Sequence, residues 1–161
     1  MIKILLDIDG TILPAYLNDK SRPKLTLSLD LYSLAFYADI VHEFSELSKQ
    51  PNCEVIMCSS WAETSLDIAR ELDIQCQHYL QFVQINPKNW YKWDTITDFC
   101  QQHPKDKIIL CDDLANRANT PKRPRNLIKV FQPKPATGLT LRDLVKIKKI
   151  VLKDSKNKFF S

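Results

Sequence analysis

Apolar and polar positions follow two different periods along the chain, and the order of these periods predicts strands that alternate with helices. Short apolar runs bounded by turn residues are typical of buried strands in a parallel sheet. One of the five runs, residues 79–85, is more polar than the others, and Pro87 follows it. The predicted strands lie in residues 3–11, 53–61, 79–85, 107–111 and 126–131.

Apolar residues recur at the helical period between the predicted strands. The predicted helices cover residues 38–49, 61–72, 93–102 and about 141–152. Two of them begin with a capping-box pattern, Ser60 with Glu63 and Thr140 with Asp143. Residues 24–30 alternate strictly, which predicts a short exposed hairpin or flap. Alternating strands and helices indicate a three-layer parallel α/β/α sheet.

The most informative stretch is K-I-L-L-D-I-D-G-T, residues 3–11. Its apolar run is the first predicted strand, and Asp7 and Asp9, with one residue between them, follow that run. In open α/β sheets, ligand chemistry lies just beyond the carboxyl ends of the strands. Two carboxylates at such a short distance repel each other unless a cation or a proton lies between them. The pair therefore predicts a hard divalent cation, Mg²⁺. Gly10 allows the chain to turn sharply there.

Two other strands end in oxygen-bearing side chains, Ser59 and the pair Asp112–Asp113. A parallel sheet brings all of these ends to one edge, and Lys92, just before a predicted helix, can reach that edge. A metal, a hydroxyl, a lysine and extra carboxylates together are suited to phosphate chemistry, because the cations neutralise phosphoryl oxygens.

Each of these residues also has an ordinary structural interpretation. The D-x-D-G stretch could be a surface turn or part of a calcium loop, although the EF-hand spacing is absent. Ser59 and Ser60 could have no role beyond capping a helix, and this is the role that we expect for Ser60. An Asp-Asp pair is often a solvated turn, and Lys92 alone would be a surface lysine. Their predicted convergence at one edge of the sheet favours the catalytic interpretation.

Composition limits the class of protein. The 161 residues fit one domain, which we place at residues 1–153, followed by a basic tail that we expect to be frayed, residues 154–161. No leader or apolar run near membrane-spanning length is visible, so we expect a cytoplasmic protein without a membrane partner. Five cysteines without metal spacing indicate reduced, mostly buried thiols. The net charge of +4 permits a polyanionic partner but does not require one, and no pattern fixes an oligomeric state.

The order D-x-D-G-T, strand-Ser, Lys and strand-D-D resembles the haloacid dehalogenase (HAD) superfamily over nearly the whole chain. The S-S-W after the second strand, the Lys beside tryptophan and the late G-L-T resemble, more narrowly, the HAD domains of Swiss-army-knife RNA repair proteins. The resemblance implies a Rossmann-like fold. The insertions are too short for a large cap domain.

The resemblance also implies a reaction, the hydrolysis of a phosphomonoester through an aspartyl-phosphate. Asp7 would be the nucleophile and Asp9 the general acid and base. The presence of Asp9 favours phosphoryl transfer, because HAD dehalogenases lack this second aspartate. Lys92 would pair with Asp7 and the phosphate, with Lys88 as the alternative lysine.

Two groups of ligands follow from the same resemblance. Mg²⁺ would be held by Asp7, by the backbone carbonyl of Asp9, and by Asp112 or Asp113, a choice that the sequence leaves open. The substrate phosphate would contact hydroxyl and loop residues, namely Ser59, Ser60, Gly10 and Thr11.

An open site favours a bulky phosphorylated substrate such as a polynucleotide 3′-phosphate end. Phosphatases of small metabolites or nucleotides, a phosphotransferase, and a non-catalytic phosphate-binding module remain alternatives. Trp90, Tyr91 and Trp93 could stack on a base, but we favour packing against the core. The basic residues Lys122, Arg123 and Arg125 either guide a nucleic-acid backbone or form a solvated loop.

Overall fold

The computed structural model describes residues 1–158, with side chains described through residue 155. After an N-terminal strand and a hairpin, helices and strands alternate, except that a loop rather than a helix joins the last two strands. The elements are β1 (Ile2–Leu6), β2 (Lys24–Leu29), β3 (Tyr32–Tyr37), α1 (Ala38–Ser48), β4 (Cys53–Met57), α2 (Thr64–Glu71), β5 (Cys76–Tyr79), α3 (Trp93–Gln102), β6 (Lys107–Cys111), β7 (Leu127–Phe131) and α4 (Leu141–Lys158).

Five parallel strands form the central sheet in the order β5-β4-β1-β6-β7. The last residue of β1, Leu6, lies beside Met57 of β4 and Cys111 of β6. The three strands therefore end at the same edge of the sheet. All five residues of β1 are buried, as expected for a central strand that is covered on both faces.

Helices cover the two faces of this sheet. On one face, Ile4 and Leu6 pack in a cluster with apolar side chains of α1, α2 and α4, such as Phe44 and Ile147. On the other face, Leu5 packs with Trp93 and other residues of α3. The predicted three-layer α/β/α fold is confirmed.

The hairpin β2–β3 is antiparallel and stands apart from the central sheet. Its tip contains Asp30, at a φ of 46°, and Leu31, which is 96% exposed. In residues 1–158, this hairpin is the largest insertion with secondary structure between the site-bearing strands, so the predicted small flap without a large cap is confirmed.

One predicted strand was misplaced. The polar run at residues 79–85 was expected to be a strand, but the strand is Cys76–Tyr79 and most of the run is loop. Side chains at the start of α3 accept the N–H groups of this loop. Asp94 accepts from Ile85 and Asn86 at 2.7 Å, and Thr95 accepts from Val83 at 2.9 Å. These side-chain hydrogen bonds take the place of the strand pairing that was predicted for this run.

The capping-box predictions had opposite outcomes. At α4, Asp143 accepts the N–H of Thr140 at 3.0 Å and donates its own N–H to the Thr140 hydroxyl at 3.3 Å, as predicted. The Ser60–Glu63 box is wrong, because α2 begins at Thr64 and its N-cap residue Glu63 makes no side-chain capping bond. Residues 59–63 form turns instead, with Ala62 at a φ of 50°.

Helix α4 continues to Lys158, beyond the predicted end at residue 152 and into the predicted frayed tail. Asp154, near the end of this helix, is 9% exposed and forms an ion pair of 2.7 Å with Lys107. Residues 159–161 of the predicted tail lie outside the described residues. Across the described part of the chain, no helix has both the length and the apolar character needed to span a membrane.

Candidate functional site

Asp7 lies one residue beyond β1 at the common edge of the sheet. Its N–H donates to Cys111 O at 2.9 Å, which extends the strand pairing by one residue. The residue is 4% exposed, and its Oδ2 accepts the Thr11 hydroxyl at 3.2 Å. The sheet therefore fixes the backbone of Asp7, and Thr11 orients its carboxylate.

The loop after Asp7 requires glycine at position 10. Gly10 has a φ of 69°, in the left-handed region that side chains disfavour. A Cβ there would lie 2.7 Å from Oδ2 of Asp113. The N–H groups of Thr11 and Leu13 both turn back to Ile8 O, at 3.1 and 2.9 Å. The tight loop thereby leaves space for the Asp113 carboxylate.

Lys92 is the residue that joins the strand ends. It is 2% exposed, immediately before α3. Its Nζ donates to Asp7 Oδ1 at 2.8 Å, Cys58 O at 2.9 Å and Asp112 Oδ2 at 2.6 Å. The three donors of the ammonium group are thus fully used. The alternative, Lys88, is exposed, so the structure brings Lys92 rather than Lys88 to the site.

The two aspartates after β6 differ in their surroundings. Asp112 is fully buried, with Oδ2 bound to Lys92 and Oδ1 accepting the N–H of Leu114 at 2.8 Å. Asp113 is half-buried, and its N–H donates to the Thr11 hydroxyl at 3.1 Å. Carboxylate oxygens of Asp7, Asp112 and Asp113 all lie within 4.8 Å of one another.

Burial dominates the electrostatics of this cluster. It raises the pKa of Asp112 to about 7, with the nearby Asp7 adding repulsion and Lys92 opposing both. Burial likewise raises the pKa of Asp7, with Lys92 opposing, and the pKa of Asp113, to which Asp7 adds repulsion. The carboxylates therefore lie too close together and too far from water to ionise freely without more positive charge.

The pKa of Lys92 is nevertheless raised. Burial alone would lower it, but attraction to an ionised Cys58, Asp7 and Asp112, with the hydrogen bond to Asp112, outweighs burial. Burial also raises the pKa of the Cys58 thiol, which is therefore neutral at physiological pH. The two aspartates are consequently what keep Lys92 charged.

The donor set fits a hard divalent cation. The cluster offers three carboxylate groups, without thiolate or imidazole. Three ionised carboxylates against one ammonium leave two negative charges unbalanced, which a divalent cation would neutralise. Oxygen ligands of this kind are preferred by Mg²⁺.

Asp9 does not belong to this cluster of three carboxylates. It is exposed, and its Oδ2 accepts the indole N–H of Trp61 at 2.7 Å. Trp61 also contacts Tyr32 of the hairpin edge-to-face, with ring centroids 5.2 Å apart. Sequence reasoning missed this contact, since S-S-W was used only as a family resemblance and the hairpin register was not predicted.

A cavity of about 290 Å³ connects these groups to solvent. Its lining includes Asp7, Asp9, Lys92 and Asp113, so both members of the first acidic pair face one space. Gly10 and Ser60 also line it, whereas Ser59 is 2% exposed and its Oγ accepts the Trp61 N–H at 3.4 Å.

The cavity's residues fall within the part of the chain that matches a known family. The family model for the HAD domain in Swiss Army Knife RNA repair proteins matches residues 3–144. The chain belongs to this family. Comparison of this chain with the curated proteins and with the solved structures finds no match.

Membership of this HAD family confirms the resemblance drawn from the motifs and supports a phosphatase-type hydrolase. The matched segment runs from β1 into α4 and includes every residue predicted for the site. The family description concerns the domain type and assigns no role to an individual residue.

The aromatic residues near Lys92 divide between core and site. Trp93, the first residue of α3, is 4% exposed and packs in the core, as favoured from the sequence. Trp90 packs against the same cluster, with its ring centroid 5.6 Å from Lys92 Nζ. Tyr91 instead lines the site cavity, so it is the aromatic residue of these three that is available to a ligand.

The five cysteines are free, and four of them are buried.

Proposed function

We propose that this chain is a Mg²⁺-dependent phosphatase that hydrolyses a phosphomonoester through an aspartyl-phosphate on Asp7. The observation that carries the proposal is the contact of buried Lys92 with both Asp7 and Asp112, beside the half-buried Asp113. Positioned positive charge beside a carboxylate is what phosphoryl transfer needs most.

In this proposal Asp7 attacks phosphorus, and the bond from phosphorus to the leaving oxygen breaks. Asp9 gives its proton to that oxygen and then removes a proton from the water that attacks the aspartyl-phosphate. This second step releases phosphate and restores Asp7. Asp9 suits the role because it is exposed and lines the same cavity, where the leaving group must pass to solvent.

Lys92 binds Asp7 Oδ1 and keeps the carboxylate oriented while the phosphoryl group is transferred. Ser60 and the loop at Gly10 line the cavity where phosphoryl oxygens would lie. The buried Ser59 would support them through the turn that it shares with Trp61.

Asp7 and Asp113 would hold the Mg²⁺, with Asp112 close by. Asp113 suits the inner position better than Asp112, because both oxygens of Asp112 already accept hydrogen bonds and only Asp113 lines the cavity. The cation would supply charge that neutralises phosphoryl oxygens.

For the substrate we propose a polynucleotide 3′-phosphate end. The open site under a small hairpin, the excess of basic residues and the family's association with RNA repair support this class. A phosphatase of small metabolites or nucleotides is the competing proposal.

The catalytic test compares wild type with Asp7→Asn on an aryl phosphate, with Mg²⁺ and with EDTA. We expect activity only for wild type with Mg²⁺, and a ³²P-labelled protein species that is trapped by acid and released by hydroxylamine. Asp67→Asn, at an exposed ion pair on α2, is the matched control and should retain activity. Hydrolysis by Asp7→Asn would refute the proposal.

The substrate test measures kcat/KM for oligonucleotides that carry a 3′-phosphate or a 5′-phosphate, and for mononucleotides and sugar phosphates. A preference of at least tenfold for the 3′-phosphorylated oligonucleotide is expected. Preference for the small phosphates would favour the competing proposal.

A further inference from the structure

A basic cavity lies in the loop between β6 and β7, outside the catalytic cluster. Its volume is about 540 Å³, and it is lined by Arg117, Thr120, Pro121, Lys122 and Arg123. Three of these five residues are cationic and none is acidic. No ion pair among the described residues involves any of the three cations.

Arg123 is held in place by a buried hydroxyl. Thr120 is 2% exposed, and its Oγ1 accepts from Nε and Nη2 of Arg123 at 3.0 and 2.9 Å. The same hydroxyl donates to Asn116 O at 2.9 Å. Because a guanidinium has five N–H donors, three remain for a ligand. The side chain is thus oriented without being neutralised.

The backbone of the loop orients Arg123 and adds a donor. Pro121 and Lys122 are the central residues of a turn, and Lys122 has a φ of 48°, in the left-handed region. Among the residues that the structure describes, no acceptor is bound by the N–H of Lys122. This N–H group is therefore available to an anion beside the cationic side chains.

The basic cavity is close to the proposed active site. Leu114 lines the catalytic cavity, and Arg117 follows it by three residues. With consecutive Cα atoms 3.8 Å apart, the two Cα atoms are at most about 11 Å apart. This short separation puts Arg117 within reach of a strand whose terminal phosphate occupies the catalytic cavity.

We propose that the loop 117–123 binds a phosphodiester of the nucleic-acid strand whose phosphorylated end enters the catalytic cavity. Guanidinium groups bind phosphate in a bidentate manner, and Arg117 and Arg123 would do so, while Lys122 adds charge. The identity of the strand rests on the proposed function, whereas the binding of a phosphodiester can be tested separately.

The binding test uses Asp7→Asn protein and a fluorescent single-stranded oligonucleotide with a 3′-hydroxyl end. The loop variant carries Arg117→Gln, Lys122→Gly and Arg123→Gln, in which glycine keeps the left-handed backbone. The control variant makes the same charge change on α4 with Arg142→Gln, Lys146→Gln and Lys149→Gln, which are exposed and outside any described ion pair. Anisotropy gives Kd at several salt concentrations.

We expect the loop variant to bind about tenfold more weakly than the control. The slope of log K against log salt should fall by about 0.7 for each phosphate that the variant no longer neutralises. Equal binding by the two variants would overturn the proposal. Thr120→Val, which removes the acceptor of Arg123 but no charge, should weaken binding with little change in the salt slope.

The kinetic test uses the same loop substitutions in protein that retains Asp7. The ratio of kcat/KM for a 3′-phosphorylated oligonucleotide to that for an aryl phosphate should fall about tenfold. An unchanged ratio in an active enzyme would overturn the loop proposal and leave the phosphatase proposal intact. If the protein hydrolyses no phosphate but its binding still depends on the loop, the phosphatase proposal is overturned and the loop proposal stands.

Discussion

Removal of Lys92 should strongly destabilise the folded protein. Lys92→Met leaves Asp7 and Asp112 buried without their cation, which costs about 3–5 kcal/mol when both are ionised. At pH 5 the carboxylates can bind protons instead, so the loss of stability should be smaller than at pH 8. Urea unfolding at both pH values in EDTA measures this difference.

The matched control for that substitution is Lys88→Met. Lys88 is exposed, so its replacement should change the free energy of unfolding by less than about 0.5 kcal/mol. An equal loss of stability at pH 5 and pH 8 for Lys92→Met would mean that the carboxylates do not titrate in response to Lys92.

Trp61 should act as a positioning residue for Asp9. Trp61→Phe removes the indole N–H that binds Asp9 and keeps an aromatic ring against Tyr32. If Asp9 protonates the leaving group, kcat should fall about tenfold for alkyl phosphates and much less for aryl phosphates with acidic leaving groups, since these need no proton. Steady-state kinetics across leaving groups measures the trend.

Tyr32→Phe keeps the ring contact and is the control for that series. A uniform decrease in kcat by Trp61→Phe for all leaving groups would indicate that Trp61 supports the fold rather than Asp9.

At the level of residues, the sequence located the charged cluster but not its connections. Asp7, Lys92, Asp112 and Asp113 were predictable because a parallel sheet brings strand ends together. The contact of Trp61 with Asp9 was not predictable, because it depends on the turn at residues 59–63. The pattern at Ser60 and Glu63 had wrongly predicted a helix start there.

At the level of elements, the loop from Asp7 to Leu13 is the one least able to accept change. Gly10→Ala would place a Cβ 2.7 Å from Asp113 Oδ2, at a φ of 69°. The left-handed conformation costs about 1 kcal/mol for alanine, and the clash must displace Asp113. We expect a decrease of about 1–3 kcal/mol in stability and a smaller rise in melting temperature on adding Mg²⁺, both measurable by thermal unfolding. A variant with wild-type Mg²⁺ response would show that Asp113 can move without losing the cation.

Elements with strong patterns were predicted well, and polar ones were not. Strand β6 and helix α3 have the predicted bounds, because apolar runs and helical spacing decide them. Strand β5 was misplaced because its own residues are polar, Cys76 to Tyr79, and the loop that follows is held by Asp94 and Thr95 of α3. Such side-chain-to-backbone bonds leave no periodic trace in a sequence.

At the scale of the whole molecule, the topology explains why so short a chain can build the site. With β1 central between β4 and β6, three strand ends meet, and α3 brings Lys92 up to the same edge. The sequence predicted parallel strands but not their order, since order depends on which crossover covers which face. The sequence left open whether Lys122 and Arg123 guide a nucleic acid or lie in a solvated loop. It did not predict the basic cavity at residues 117–123, because the absence of ion pairs at these two residues is visible only in the fold.

The stability of the whole fold should depend jointly on pH and on a divalent cation. Asp112 has a pKa raised to about 7 in the folded protein, against 3.8 for the unpaired group. Between these values the folded chain holds a proton that the unfolded chain has lost, so without a cation this group makes stability fall as pH rises from about 4 to 7. In the proposed site, Mg²⁺ would take the place of that proton. Mg²⁺ should therefore raise the melting temperature little at pH 5 and most at pH 8, where saturation at 100 times Kd adds about 2.7 kcal/mol, or roughly 5–10 °C. Thermal unfolding from pH 5 to 8, in Mg²⁺ and in EDTA, measures the effect. Asp112→Asn should flatten the pH dependence seen in EDTA, and a Mg²⁺ effect independent of pH in wild type would contradict a cation bound among these carboxylates.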